Sequence, residues 1–368
     1  MELVNSNGFG ERPLRVVAIG GGTGLSTLLR GFKRFVAAPD RRKGMRGGRC
    51  ADDLILSATR ADSQSVIGDL SAVVTVTDDG GSSGRLREDF KMLPPGDVRN
   101  CMVALSEDEH LLSKLFQFRF DQGELEGHSF GNLFVAALSH ITGDFAQAVQ
   151  MSSQILATRG RIFPATNINV GLAARMDDGS LVRGETNITA SKQRIVELML
   201  EPATVDPLPE TLEAIAHADL ITLGPGSLYT SLITNLLVRG IPEALAESNA
   251  TKVYVCNLMT QANESLGLTA SQHIEKIFQH AGLTDSPIFN YALINTGPIT
   301  AERLEQYARE GQSPIEADLD RVRALGVQPI VGDFVHEGDL LRHDYDRVAE
   351  TLLALAMSRL EPALAHQD

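Results

Sequence analysis

The residues that most constrain this chain are Val16-Val17-Ala18-Ile19 followed directly by Gly20-Gly21-Gly22-Thr23-Gly24. The four apolar residues read as a short buried parallel strand. The glycines make a turn where backbone can approach a ligand without Cβ interference. Leu25, Leu28, Leu29 and Phe32 then recur at helical spacing, so the turn hands over to a helix near Gly24. Strand, glycine turn and helix N-terminus together form an anion site, because unpaired N–H groups and the positive end of the helix dipole face outward. The dinucleotide fingerprint is not met: its third glycine would fall on Leu25 or Thr27. The Gly-Lys-Ser/Thr ending of the Walker loop is also missing. A plain strand–helix connection is the alternative, but it would not need four glycines and their entropic cost. The stretch is read as a phosphate-binding loop.

Composition narrows the classes. A chain of 368 residues is long enough for one large α/β domain or two smaller ones. Net charge −14 argues against nucleic acid held on a broad basic surface, while leaving room for a local cationic pocket. Cys50, Cys101 and Cys256 are scattered, so neither a disulfide framework nor a zinc site is indicated. Residues 1–15 lack the apolar run of a signal peptide, and no stretch has the apolar length of a membrane span. The expectation is a cytoplasmic protein without a membrane span. Residues 1–13 read as a flexible N-terminus, 14–360 as a single α/β domain, and 361–368 as a tail. Residues 39–71, basic and glycine-rich over 40–49, read as a surface insertion.

A second strand, Ala72 to Thr77, ends in Asp78-Asp79-Gly80-Gly81-Ser82-Ser83-Gly84-Arg85. Two carboxylates at a strand's C-terminal end could hold Mg²⁺ or ribose hydroxyls. Ser82, Ser83 and Arg85 could hold phosphate, the arginine through its guanidinium fork. An Asp-Gly turn with capping serines accounts for only part of that string. Pro94-Pro95-Gly96-Asp97 is a turn whose aspartate is expected to cap a helix over Val98 to Leu105. His128, Ser129 and Asn132 precede another apolar helix, as ligands or as a simple cap with a buried histidine. Residues 161–200 read as antiparallel pieces inserted between βα units, with a hairpin turn at Asp177-Asp178-Gly179-Ser180.

Strand, turn and helix then return in Leu220-Ile221-Thr222-Leu223 and Gly224-Pro225-Gly226-Ser227. This segment lacks the G-x-S-x-G pattern of a serine-hydrolase elbow. Two glycine loops on one parallel sheet could grip one ligand from both sides. Asn257 and Gln261 at a later strand end suit base or sugar recognition. Arg342, in Arg342-His343-Asp344, is a candidate phosphate ligand, with a surface arginine as the bland alternative. The nine histidines show no zinc-hydrolase spacing, and no catalytic pair of a dehydrogenase is evident.

At these motifs the chain resembles the CofD-like family, and within it the YvcK-type "gluconeogenesis factor" branch. The resemblance rests on residues 20–24, 78–87, 94–100, 128–132, 224–231, 257–261 and 342–344. It implies an α/β fold: a Rossmann-like, mostly parallel sheet flanked by helices, with an inserted antiparallel hairpin or subdomain. The branch is similar to the phospholactate transferase of deazaflavin cofactor synthesis. Its members are nonetheless associated with growth on gluconeogenic carbon sources, cell shape and peptidoglycan precursor supply. The resemblance implies a UDP-sugar ligand, with NAD also suggested, and Arg342 looks like the counterpart of an arginine important for UDP-sugar binding. The leading expectation is therefore a regulator that binds a UDP-sugar. Its diphosphate would lie between the two glycine loops, with Arg85 or Arg342 balancing charge and Asp78 or Asp79 taking ribose or Mg²⁺. The alternative is a transferase of a phosphate-containing group. A homo-oligomer and regulatory protein partners are compatible with either.

Overall fold

The computed structural model describes residues 12–37, 65–107, 111–262, 264–283, 287–338 and 340–364. Most of the expected insertion over 39–71 and all but the end of the expected N-terminal segment lie outside these residues. So do residues 365–368 of the expected tail. Ile67 to Ser71, at the end of the expected insertion, instead belong to a core strand.

The main sheet has seven strands, all parallel. In chain order they are β1 (Leu14–Gly20), β2 (Ile67–Val74) and β3 (Arg161–Pro164), then β7 (Leu220–Leu223), β8 (Thr251–Val255), β9 (Tyr291–Asn295) and β10 (Gln328–Gly332). Their spatial order is β10-β9-β8-β7-β1-β2-β3. From β1 the chain builds outward through β2 and β3, then restarts at β7 on the other side. The strand order therefore reverses between β1 and β7, which places a crevice at their C-terminal ends. Val16 pairs with Leu220 and Ile19 with Leu223, so the two strands end level with each other. Both are buried throughout or nearly so, as expected for strands covered on two faces.

The first glycine turn leads into a helix over Gly22–Lys33. Its Leu25, Leu28, Leu29 and Phe32 are fully buried, as their spacing predicts. Gly31 lets the C-terminal helix Tyr345–Leu364 cross closely: a Cβ there would lie 2.5 Å from the Tyr345 carbonyl oxygen.

Two expected strands differ from the observed ones. The strand expected over Ala72 to Thr77 starts earlier and leaves the sheet after Val74, because its neighbour β1 ends at the paired Gly20. Only one further bond, Thr75 N–H to the Gly20 carbonyl at 3.0 Å, continues the pairing. Arg161–Pro164 was expected among antiparallel pieces, but it is the parallel edge strand beside β2. The helix Phe145–Ile155 before it returns the chain in the same direction. The antiparallel element itself is a three-stranded sheet ordered β5-β4-β6, from β4 (Gly171–Met176), β5 (Leu181–Arg183) and β6 (Ile195–Glu201). It is tied to the main body by the Tyr229 hydroxyl donating to the Ile195 carbonyl at 3.2 Å. A last hairpin, β11 (Val335–Glu337) with β12 (Leu341–His343), carries Arg342 back to the sheet edge. Buried His343 anchors it through Nε2, 3.0 Å from the Cys256 carbonyl oxygen. Burial depresses the His343 pKa to about 4, so the anchor is a neutral ring.

Candidate functional site

The two glycine loops touch. Gly24 faces the second loop so closely that a Cβ would lie 2.2 Å from the Pro225 carbonyl oxygen. Only glycine permits that approach. Gly22, at φ +62°, sits in the left-handed region that other residues rarely adopt. The second loop is held by Asn257, whose Oδ1 accepts from Gly226 N–H at 3.1 Å and whose Nδ2 donates to the Gly226 carbonyl at 2.7 Å. Gln261 Nε2 donates to Ser227 Oγ at 3.0 Å. The amides at the end of β8 thus shape the loop.

A cavity of about 380 Å³ opens between the loops. Its walls include Gly21, Gly22, Thr23 and Gly24 from the first loop and Gly226 and Ser227 from the second. Asn257, Gln261 and Arg342 are also part of its polar lining, with Ser231, Tyr307, His343 and Tyr345. Eight of the residues proposed from sequence as ligand contacts therefore share one pocket: Gly21, Gly22, Thr23, Gly24, Gly226, Ser227, Asn257 and Arg342. Gly20 lies behind this wall: its carbonyl accepts from Thr75 N–H at 3.0 Å and from Asn235 Nδ2 at 3.2 Å. Gly224 likewise ends its strand behind the lining, its N–H donating to the Ile19 carbonyl at 3.0 Å.

The remaining candidates lie apart from this cavity. Asp78 Oδ1 accepts from Gly80 N–H at 2.9 Å, closing its own turn. Asp79 Oδ1 accepts from Thr186 N–H at 2.8 Å and Thr186 Oγ1 at 2.6 Å, fastening the antiparallel element. Both aspartates thus carry a structural bond, and among the described residues no group of three or more His, Cys, Asp or Glu is placed to hold a metal ion. Arg85 points away, donating to the Glu126 carbonyl at 2.7 Å. Buried Ser82 places its Oγ 3.0 Å from His128 Nδ1 and accepts from Asn132 Nδ2 at 3.1 Å. Burial and the neighbouring Arg85 lower the His128 pKa, so the ring is neutral near pH 7 and can accept from Ser82. Ser83 packs against Gly96, where a Cβ would lie 2.5 Å from its Oγ.

Two acidic residues were missed as parts of the site. Asp97 was expected to cap its own helix. It lies instead within the helix Gly96–Leu105 and reaches across to accept from Gly22 N–H at 2.7 Å. Glu264 takes the corresponding place on the second loop, accepting from Tyr229 N–H at 3.3 Å and from Thr230 Oγ1 at 2.8 Å. Each helix start behind the pocket therefore already carries a protein carboxylate. Desolvation, with the field of Asp78, pushes the Asp97 pKa up to about 6 despite the Gly22 N–H bond. Burial raises Glu264 as well. Glu185, facing Asp78, Asp97, Glu264 and Asp79, is raised to about 9, chiefly by desolvation, and is protonated at neutral pH.

Residues 16–335 match the family described as 2-phospho-L-lactate transferase CofD. The chain belongs to the CofD family. Within it, the chain is similar to curated proteins named gluconeogenesis factor. It is 44% identical to one from Halalkalibacterium halodurans over 92% of this chain and 95% of that protein. It is 42% identical to one from Bacillus subtilis over 94% of this chain and 99% of that protein. A crystal structure from Bacillus halodurans, described as a member of the UPF0052 family, superposes with a TM-score of 0.82 at 44% identity, covering 94% of this chain and 100% of that one. The α/β architecture of this CofD-family chain is thus shared with an experimentally determined relative, consistent with the YvcK-type resemblance of its motifs.

Proposed function

We propose that this protein is a regulator that binds a nucleotide sugar of the UDP-N-acetylglucosamine class in the pocket between its glycine loops. The observation that carries this reading is the convergence of two strand–glycine–helix turns and Arg342 on one 380 Å³ cavity. That volume suits a small ligand. The diphosphate would lie along Gly22 to Gly24 and Gly226 to Ser227, with Arg342 balancing its charge. Among the described residues Gln261 Oε1 has no hydrogen-bond partner, and it suits an N–H or hydroxyl of the base or sugar. The relatives' name supports a role in growth under gluconeogenic conditions. Influence on cell shape and peptidoglycan precursor supply, in the cytoplasm, is part of the same reading. Among the described residues no helix is long and apolar enough to cross a membrane.

The family's description favours one second reading, a transferase of a phosphate-containing group to a deazaflavin acceptor. Titration calorimetry with UDP-N-acetylglucosamine, with and without Mg²⁺ and with product analysis on the same sample, separates the two. The regulator reading expects saturable binding with intact ligand. Consumption of the ligand, or turnover of a deazaflavin acceptor, supports the transferase. Arg342→Ala should weaken binding by about tenfold or more while leaving the melting temperature nearly unchanged. Unchanged affinity in that folded variant removes Arg342 from the site.

A further inference from the structure

A second cavity adjoins the first, sharing Arg342, His343 and Tyr345 with it. It is a groove of about 600 Å³ between the helix Gly22–Lys33 and the turn joining β12 to the C-terminal helix. Its charged lining has Arg30, Lys33, Arg34 and Arg342 facing Asp344 and Asp346, in a chain whose net charge is −14. Both carboxylates already have cations. Asp346 pairs with Arg34 at 2.5 Å. Asp344 accepts from Arg347 N–H at 3.1 Å and faces Arg347 Nε at 3.8 Å. Lys33 is engaged with the Ser106 carbonyl at 3.1 Å.

Arg30 and Arg342 remain. Arg30 is exposed, and among the described residues neither is ion-paired with a carboxylate. Both line the groove, where Gly31 packs so closely on Tyr345 that a Cβ would lie 2.5 Å from its carbonyl oxygen, holding the helix that bears Arg30 against the turn that follows Arg342. Two guanidinium groups that line one groove without a carboxylate of their own make it a place where an anion is stabilised. Phosphate, with several acceptor oxygens and up to two negative charges, matches two guanidinium forks better than a single carboxylate does. The groove's volume admits a small organic phosphate.

We propose that this groove is a second anion site, for a soluble phosphorylated small molecule whose phosphate sits between Arg30 and Arg342. Arg342 lines both cavities, so the two sites compete for one guanidinium. A phosphate in the groove draws it away from the glycine loops and lowers affinity there, and the effect is reciprocal. This site does not depend on the identity of the ligand in the first pocket.

The test uses the full chain, with inorganic phosphate as probe, followed by calorimetry. The variants are Arg30→Ala, Arg30→Lys and, in the other pocket, Ser227→Ala. Phosphate affinity should fall about tenfold or more in Arg30→Ala, persist largely in Arg30→Lys, and be unaffected by Ser227→Ala. Absence of phosphate binding by the unaltered chain overturns the proposal. So does unchanged affinity in Arg30→Ala, or loss in Ser227→Ala alone, which would assign the anion to the glycine loops. A parallel arm uses vesicles of anionic phospholipid, for which no binding is expected. Vesicle binding abolished by Arg30→Ala would assign the groove to a lipid headgroup and overturn the soluble ligand.

Discussion

Asp97 holds the first glycine loop by accepting the Gly22 N–H, and that placement ties the loop to pH. Its pKa is about 6 in the folded protein, against an ordinary value of 3.8. Between those values the folded state keeps a proton that the unfolded chain releases. Stability from this group is therefore lost as pH rises from about 4 through about 6, reaching roughly 3 kcal/mol above that window. Asp97→Asn keeps an acceptor for Gly22 N–H without the charge. It should raise the melting temperature at pH 8 and leave it nearly unchanged at pH 4. A variant whose melting temperature follows the same pH profile as the unaltered chain would show that Asp97 is not buried in its charged form. The loop preceding its helix reads as a turn and cap, and nothing local reveals that its carboxylate serves a loop 75 residues away. Glu264 was equally hidden, because its partners Tyr229 and Thr230 lie on another element. By contrast, the place of Gly22, Gly24 and Gly226 at the cavity wall was legible because a strand–glycine–helix turn carries its own backbone chemistry, whereas Arg342 was singled out with the help of the family resemblance.

At the scale of elements, the decisive contact is between the two glycine loops. Gly24→Ala would drive a methyl group into the Pro225 carbonyl and push the loops apart. It should cost about 1–3 kcal/mol in denaturant unfolding and abolish binding in the pocket. Wild-type stability together with wild-type binding would mean the loops can separate without consequence. Gly22→Val, strained at φ +62° and β-branched beside the ligand's path, should also abolish binding. Strands such as β1 and β7 were legible as apolar runs, because a fully buried parallel strand needs no alternation. The end of β2 was not, since it depends on where its neighbour stops. The parallel role of β3 was also concealed: four residues carry no record of which sheet they join. The hairpin β11–β12 was missed because three-residue strands fall below the length at which periodicity shows.

Across the whole molecule, the topology explains why distant motifs meet. The reversal of strand order between β1 and β7 sets two equivalent turns side by side, and the late hairpin returns Arg342 to the same edge. Residues 78–85 and 128–132 gather on the neighbouring side, joined through Asp97 and the Ser82–His128–Asn132 cluster rather than in the pocket wall. That division puts Ser82, Ser83, Arg85 and Asn132, expected from sequence as ligand contacts, outside the pocket wall that Gly21 to Gly24, Gly226, Ser227, Asn257 and Arg342 share. On the reading proposed above, the space between the glycine loops holds the diphosphate of a nucleotide sugar. Its most direct test is a crystal structure of the full chain with UDP-N-acetylglucosamine. The diphosphate is expected along Gly22 to Gly24 and Gly226 to Ser227, with the Arg342 guanidinium on a phosphate oxygen. A nucleotide sugar bound beside Ser82 and His128, with the glycine loops untouched, would contradict it.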